Sequence, residues 1–326
     1  MSMPKLMLLR LRENAPWIGF AGLCTVLMAW LGLYGFAWTD YEEEARPAFE
    51  ALVHGHIASF LNLAPAYGGS LVLRAPFALM TDLWGGGELA VYRMVALPCL
   101  LAAIALGIYL VSDMRSRGRP ALWRAIVLGV CVANPLTLQA LEQGHPEELL
   151  GGVLCVTAVL LAYREQPLWA GLVLGAAIAN KEWALLAIGP VLMALPARRW
   201  LCLMSAGASS ALLLGPLLLV SAGRFATGVK VAAVSAGELF HPWQVWWFLG
   251  TPNHVTASPG TGQAVNLSAR LGWRIEPSWL TGLTHPLIIA VALPLTMLAC
   301  RRRKDPGVPL LLLSLLLLMR CMLDTW

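Results

Sequence analysis

The sequence predicts an all-α polytopic membrane protein, a single domain over residues 1–326 with about nine transmembrane helices. Of the 326 residues, 58% are hydrophobic and 13% are charged, whereas soluble domains average roughly 45–50% and about 25%. The mean hydropathy is +0.69 over the whole chain, which excludes soluble enzymes, nucleic-acid-binding proteins and disordered chains. The net charge is +5. In a membrane protein, Lys and Arg residues first of all mark which loops face the cytoplasm, so no nucleic acid is expected as a partner.

Nine apolar segments approach or exceed the length that crosses a bilayer, about 17–25 residues. In chain order they are residues 17–38, 91–112, 121–141, 147–163, 167–180, 182–197, 200–222, 284–300 and 307–323. The first segment is too long for the core of a cleavable signal peptide and no small-residue cleavage site follows it, so we expect it to remain in the mature protein. The seven cysteines lie in apolar runs without CxxC spacing and predict no metal site.

Basic residues cluster in the short connections at one end of these segments. They are Lys5, Arg10, Arg12, Arg115, Arg117, Arg119, Arg124, Arg164, Arg198, Arg199 and residues 301–304. The positive-inside rule assigns this end to the cytoplasm. Most acidic residues and all six histidines lie at the opposite end. We therefore expect a plasma-membrane protein whose functional site is extracytoplasmic.

Two long outer connections, residues 39–90 and 223–283, are too apolar to be solvated loops, and connections of this length are usually functional. In the first, Phe49, Leu52 and Phe60 belong to an apolar stripe at helical spacing, which predicts a helix lying in the membrane surface.

Another part of the first outer connection, residues 68–83, is apolar enough to cross the membrane but contains Arg74. A crossing there would invert every later basic loop, so we predict a re-entrant or interfacial helix. In the second connection, Trp243, Trp246 and Trp247 are expected either to anchor at the lipid headgroups or to stack on a substrate.

Ionisable residues converge at the outer ends of the segments. The candidates are Asp40, Glu42, His145, Glu147, Glu148, Lys181, Glu182, His241, Arg320 and Asp324. Segment 167–180 would span only about 21 Å of a hydrocarbon core about 30 Å thick. Lys181 and Glu182 should therefore lie below the outer surface, where ionisable groups usually mark a substrate path.

Simpler interpretations of these residues remain open. Lys181 and Glu182 would simply neutralise each other as an ion pair. Glu147 and Glu148 would form a solvated cap of their helix, and His145 would make a hydrogen bond between helices. The convergence of several such clusters at one face favours a functional cavity over these separate explanations.

Such a cavity suits a lipid-linked substrate whose tail stays in the bilayer. In sugar transfer from a polyprenyl phosphate sugar, one carboxylate accepts the proton of the acceptor hydroxyl, and cations stabilise the leaving phosphate. The alternatives are a transporter or flippase of a lipid-linked sugar, which needs polar groups on the cytoplasmic side too, and a structural subunit. No nucleotide-binding fingerprint occurs, and we expect neither a cofactor nor a metal.

Four motifs in this order resemble glycosyltransferase family 87 of the GT-C superfamily: Asp40 before a long outer loop, GHPEELL, NKEWALLAIGPVLMALP and MRCMLDTW. The resemblance implies a GT-C-like bundle with juxtamembrane helices in the outer loops. It also implies inverting transfer of a sugar, expected to be mannose, from a polyprenyl phosphate sugar to a lipid or glycan acceptor among membrane lipids.

The same resemblance implies roles for individual residues. Asp40 would be the general base, with Glu42 as its rival. Lys181 and His145 would contact the phosphate, with His241 or Arg320 as further candidates. Chains of the family usually continue through further spans, so a chain that stops at Trp326 is expected to be a piece of a longer protein.

Overall fold

The computed structural model describes residues 3–33, 41–65, 68–233, 239–240, 242, 244–252, 272–302, 305 and 307–324. Two of the predicted site residues, Asp40 and His241, lie outside the described residues, as does Trp243. Their predicted roles therefore stay predictions.

The described residues are almost entirely helical. The α-helices are α1 Met3–Gly32, α2 Arg46–Val53, α3 Ile57–Leu63, α4 Gly69–Leu79, α5 Glu88–Ser116, α6 Ala121–Val132, α7 Pro135–Gln143, α8 Pro146–Tyr163, α9 Pro167–Asn180, α10 Ile188–Ala194, α11 Arg199–Val220, α12 Ala222–Ala233, α13 Ser278–Thr281, α14 Thr284–Cys300 and α15 Val308–Leu323. A π-helix covers Tyr41–Ala45, and 3₁₀ turns cover Met80–Trp84, Glu182–Ala187 and Trp247–Leu249.

A small antiparallel sheet lies in the second outer connection. Its strands are β1 Leu239–Phe240, β2 Thr251–Pro252 and β3 Arg274–Ile275, in the order β1-β3-β2. Ile275 pairs with Leu239 on one side and with Thr251 on the other. The sheet joins chain segments on both sides of residues 253–271.

Five stretches are long and apolar enough to cross a membrane: Asn14–Gly32, Glu88–Ser116, Ala121–Gln143, Pro146–Tyr163 and Arg199–Val220. The described chain is thus an all-α polytopic membrane protein, as the sequence predicted. Segments 167–180, 182–197, 284–300 and 307–323 correspond to shorter apolar helices of 10–17 residues. The count of nine spans therefore stays a prediction.

The predicted bounds of α9 and α14 are those of the structure, but segment 121–141 is two helices, α6 and α7. Asn134 lies at the break, and its side-chain oxygen accepts a hydrogen bond from the Thr137 amide. Pro135 follows as the first residue of α7, where its missing N–H is tolerated. A proline also disrupts a continuing helix, so the predicted segment is interrupted at Asn134, although Ala121–Gln143 as a whole is long and apolar enough to cross a membrane.

Helices α2 and α3 pack on the protein rather than on the membrane surface alone. Phe49, Leu52 and Phe60 are buried, and Phe49 packs against Tyr41, which also contacts the Tyr92 ring. The apolar stripe therefore faces the core. Sequence periodicity identified the buried face correctly but assigned it the wrong partner, because lipid and protein core select the same residues.

Residues 68–83 form α4 and a 3₁₀ turn, as expected for a helix that does not continue into a span. α4 packs against α5, α9 and α11. Gly69 approaches Ala179 of α9 so closely that any side chain at position 69 would overlap it. The helix is therefore part of the bundle, and it carries Arg74 into the interior, where that residue is 1% exposed.

Small residues bring the central helices together. A Cβ at Gly171 would overlap Cys202 and Ser205, and one at Gly175 would overlap Ala206. Close backbone approach at small residues is the usual way in which apolar helices associate in membranes. This contact of α9 with α11 fixes the position of the C-terminal end of α9. The residues that follow α9, Lys181 and Glu182, belong to the candidate site.

Candidate functional site

A cavity of about 990 Å³ lies among the helices of the bundle. Its ionisable lining residues are Glu43, Glu44, His145, Glu148, Lys181, Glu182, Arg224, His285, Arg320 and Asp324. Its apolar lining includes Leu63, Leu106, Leu149, Val153, Val156 and Leu317. The structure therefore brings together six of the residues predicted from the sequence: His145, Glu148, Lys181, Glu182, Arg320 and Asp324.

The described charged and apolar lining residues are separated along the helices. On α8, Glu148 lies in the first turn and Val156 lies eight residues further, about 12 Å along the axis. On α15, Asp324 follows the last turn and Leu317 lies about 10 Å deeper. The cavity thus has a charged end, which we call the mouth, and an apolar interior.

Lys181 connects α9 to two carboxylates of α8. Its Nζ lies 3.5 Å from Oε1 of Glu147 and 3.4 Å from Oε1 of Glu148. The partner expected from the sequence, Glu182, is exposed and lines the cavity. The buried ammonium is therefore neutralised across two helices, a pairing that local sequence cannot reveal.

Electrostatics keep Lys181 charged. Burial lowers the pKa of its amine, but the carboxylates of Glu148 and Glu147 outweigh burial, so the pKa lies above its ordinary value. The ammonium is therefore retained at neutral pH and is lost only as the pH rises through this elevated pKa.

Glu147 lies behind the cavity lining. Its side chain is 4% exposed, and Arg74 Nη2 lies 3.2 Å from its Oε2. Glu147 is therefore a buried counter-ion rather than a solvated helix cap, and its predicted contact with substrate stays a prediction. Arg74 was not predicted to reach the site; a lone arginine in an apolar segment was the available signal.

His145 occupies the turn between α7 and α8. Its Nδ1 lies 2.9 Å from Oε1 of Glu147, and its side chain is buried at the cavity wall. The turn is formed by Gly144, which ends α7 at φ 92° and lies against Tyr41. Only glycine adopts this conformation readily and leaves room for the tyrosine.

Two further residues near the mouth were not among the candidates predicted from the sequence. Trp183 lines the cavity and donates from Nε1 to Oε2 of Glu148 at 2.8 Å. Asn180 is fully buried and donates from Nδ2 to the main-chain carbonyl of Glu147 at 2.9 Å. They belong to the NKEW run, of which only the charged members, Lys181 and Glu182, were predicted as site residues.

The end of α15 forms a second charged group. Arg320 Nε lies 2.9 Å from Oδ2 of Asp324, and His285 Nε2 lies 3.4 Å from its Oδ1. Gln244 donates to the Asp324 carbonyl, and Trp246 donates to the Leu323 carbonyl. The second outer connection is thereby fastened to this group.

The acidic run after the first helix also reaches the cavity. Glu43 and Glu44 line it, whereas Glu42 is exposed and outside the lining. All three glutamates belong to the π-helix Tyr41–Ala45. Among the described residues, no group of three or more His, Cys, Asp or Glu side chains is arranged to hold a metal ion.

The comparison with protein families agrees with this architecture. The model of glycosyltransferase family 87 matches residues 68–323, which is most of the chain. Searches of curated proteins and of solved structures return no significant match. The matched region contains seven of the ten ionisable lining residues, all except Glu43, Glu44 and Asp324. This membrane protein therefore belongs to glycosyltransferase family 87.

Proposed function

We propose that the protein transfers a sugar, expected to be mannose, from a polyprenyl phosphate sugar to a lipid or glycan acceptor on the outer face of the plasma membrane. Family membership supports glycosyl transfer, and the cavity supports the class of donor. The observation that carries the proposal is the joining of a charged mouth to an apolar interior in a single cavity of about 990 Å³.

The two parts of the cavity suit the two parts of the donor. The prenyl chain would lie along Val153, Val156 and Leu317, where burial of apolar surface is favourable. The phosphodiester would lie at the mouth near Lys181 and Arg320. His145 and Arg224 line the same cavity and extend this set of phosphate-binding groups, and His241 stays a candidate.

The proposed reaction is a direct displacement. The acceptor oxygen forms a bond to the anomeric carbon while the bond from that carbon to the phosphate oxygen breaks. The phosphate leaves with the electron pair, and a carboxylate accepts the acceptor's proton. Cations at the mouth stabilise the charge that develops on the leaving phosphate. One displacement inverts the anomeric configuration.

Asp40 is the proposed general base. It directly precedes the π-helix Tyr41–Ala45, in which Glu43 and Glu44 line the cavity. Glu42 was the rival in the sequence, but its exposure outside the lining favours Asp40.

The arrangement of charge also favours transfer over transport. A flippase needs polar groups along both halves of its pathway. The described ionisable lining residues of α8 and α15 lie at one end of each helix, and the deeper lining residues on these helices are apolar. This distribution suits a site that holds the headgroup at one face.

The test is transfer of radiolabelled sugar from a defined polyprenyl phosphate sugar to lipids in membranes that contain the protein. We expect product with the wild-type chain and nearly none with Asp40→Asn. Glu50→Gln is the matched control, because its side chain is 59% exposed and outside the cavity. Transfer directly from a nucleotide sugar, or full activity of Asp40→Asn, would contradict the proposal.

A further inference from the structure

We infer that Arg74 and Glu147 are positioning residues that hold Lys181 and His145 in place from behind the cavity wall. The inference rests on the proposed function for its catalytic consequence, but its geometric part can be tested separately. Neither residue belongs to the cavity lining, and their side chains are 1% and 4% exposed.

Both oxygens of the Glu147 carboxylate are engaged. Oε2 faces Arg74 at 3.2 Å, and Oε1 faces His145 at 2.9 Å and Lys181 at 3.5 Å. His145 and Lys181, which face Oε1, line the cavity, whereas Arg74, which faces Oε2, does not. One carboxylate therefore links a buried anchor to two groups that can reach a substrate.

The anchor is itself fixed. Arg74 donates from Nε to the Ser70 carbonyl and from Nη2 to the Ser70 hydroxyl, both at 3.1 Å. Its guanidinium lies 5.6 Å from the centre of the Phe49 ring. The main-chain carbonyl of Glu147 accepts a hydrogen bond from Asn180. Three helices, α4, α8 and α9, thus determine where the Glu147 carboxylate lies.

This arrangement predicts effects of opposite sign on Lys181. The acidic groups that act on its ammonium are Glu148 and Glu147 from α8, Glu44 from the π-helix, and Glu182 beside it. Loss of the Glu147 charge should lower the pKa of Lys181. Loss of the opposing Arg74 charge should raise it, because Glu147 then attracts the ammonium without a competitor.

The opposite signs separate positioning from structural damage. If Arg74→Met merely loosened the fold, Lys181 would become solvated and its pKa would fall towards the ordinary value. A rise in that variant is therefore specific to the proposed role.

The experiment uses the full chain in detergent, methylated at lysine with ¹³C-formaldehyde and borohydride, and follows the methyl resonances against pH. The chain has four lysines, and Lys181→Met identifies the relevant resonance. We expect Glu147→Gln to lower the pKa of Lys181 by about one unit or more and Arg74→Met to raise it. Arg46→Met is the matched control, because it breaks the ion pair of Arg46 with Glu88 outside the cavity.

Transfer assays supply the second measurement. We expect both variants to lower kcat by up to about 100-fold, with a smaller effect on KM, because the groups that face the leaving phosphate are displaced. Arg74→Lys, which retains the charge, should recover part of the rate. Unchanged titration of Lys181 in Glu147→Gln, a fall in Arg74→Met, or wild-type rates would overturn the inference.

The two proposals fail in different ways. Should the wild-type chain transfer no sugar from any polyprenyl phosphate donor while the titration shifts are found, the proposed function is wrong. The positioning of Lys181 then stands without its catalytic consequence.

Discussion

Lys181→Met is the substitution whose effect follows most directly from the structure. Methionine keeps an unbranched apolar side chain and removes the ammonium that lies 3.5 Å from Glu147 and 3.4 Å from Glu148. If the ammonium contacts the donor phosphate, its loss affects the charge that develops as the phosphate leaves. If it only balances the two carboxylates, its loss affects folding.

The expected magnitudes differ enough to decide between these roles. A unit charge about 4 Å from an anion is worth about 4 kcal/mol at an effective dielectric constant of about 20. Loss of one group that stabilises a transition state typically costs about 100- to 1000-fold in rate. Removing one partner of a buried pair costs about 3–5 kcal/mol when the other charge is left unpaired, but Glu147 retains Arg74 and His145. The cost in stability should therefore be smaller than that range.

The assay compares initial transfer rates and thermal unfolding of the purified protein in lipid nanodiscs. We expect a rate loss of about 100-fold or more with a folded protein of slightly reduced melting temperature. Lys230→Met is the control, because Lys230 is exposed on α12 and outside the cavity lining. Full turnover of Lys181→Met, or a protein that fails to fold, would refute the catalytic interpretation.

Three further predictions concern the base, the topology and the helix packing. Asp40→Asn should reduce transfer by about 10²- to 10⁴-fold, whereas Glu42→Gln should be mild; the reverse ranking of rates would move the base to Glu42. A single cysteine that replaces Ser258 in a Cys-free chain should react with an impermeant maleimide on intact cells. Labelling only after lysis would show that the orientation in the membrane is the reverse of the predicted one. Gly175→Val should destabilise the fold by about 1–3 kcal/mol, because a Cβ at position 175 overlaps α11. Gly207→Val is the control, because a Cβ there meets no neighbouring atom. Equal melting temperatures of the two variants would contradict the described packing of α9 against α11.

The helices that the sequence predicted best are those whose ends are marked chemically. α9 begins at Pro167 and ends at Asn180 before a charged pair, and α14 ends where a basic run begins. Composition alone did not find the interruption of 121–141, although Asn134 and Pro135 signal it, because an apolar count gives no weight to a helix cap.

The pairing of charges within the site was beyond sequence reasoning. Periodicity places a residue on a face, but it does not reveal that Arg74 meets Glu147 across 73 positions of the chain. The convergence of Lys181 with His145 was predicted from their common membrane depth. Their shared carboxylate belongs to Glu147 on α8, so it required the packing of α8 against α9, which no local pattern specifies.

Photochemical crosslinking of the donor tests the central claim most directly. A polyprenyl phosphate sugar with a diazirine on the prenyl chain near the phosphate would be irradiated with the protein in nanodiscs, and the modified residues identified by mass spectrometry. The account predicts labelling of α8 and α15 residues that line the apolar interior, such as Val153, Val156 and Leu317, and its suppression by unmodified donor. Labelling confined to lipid-facing residues, or unaffected by competing donor, would contradict the assignment of this cavity as the donor site.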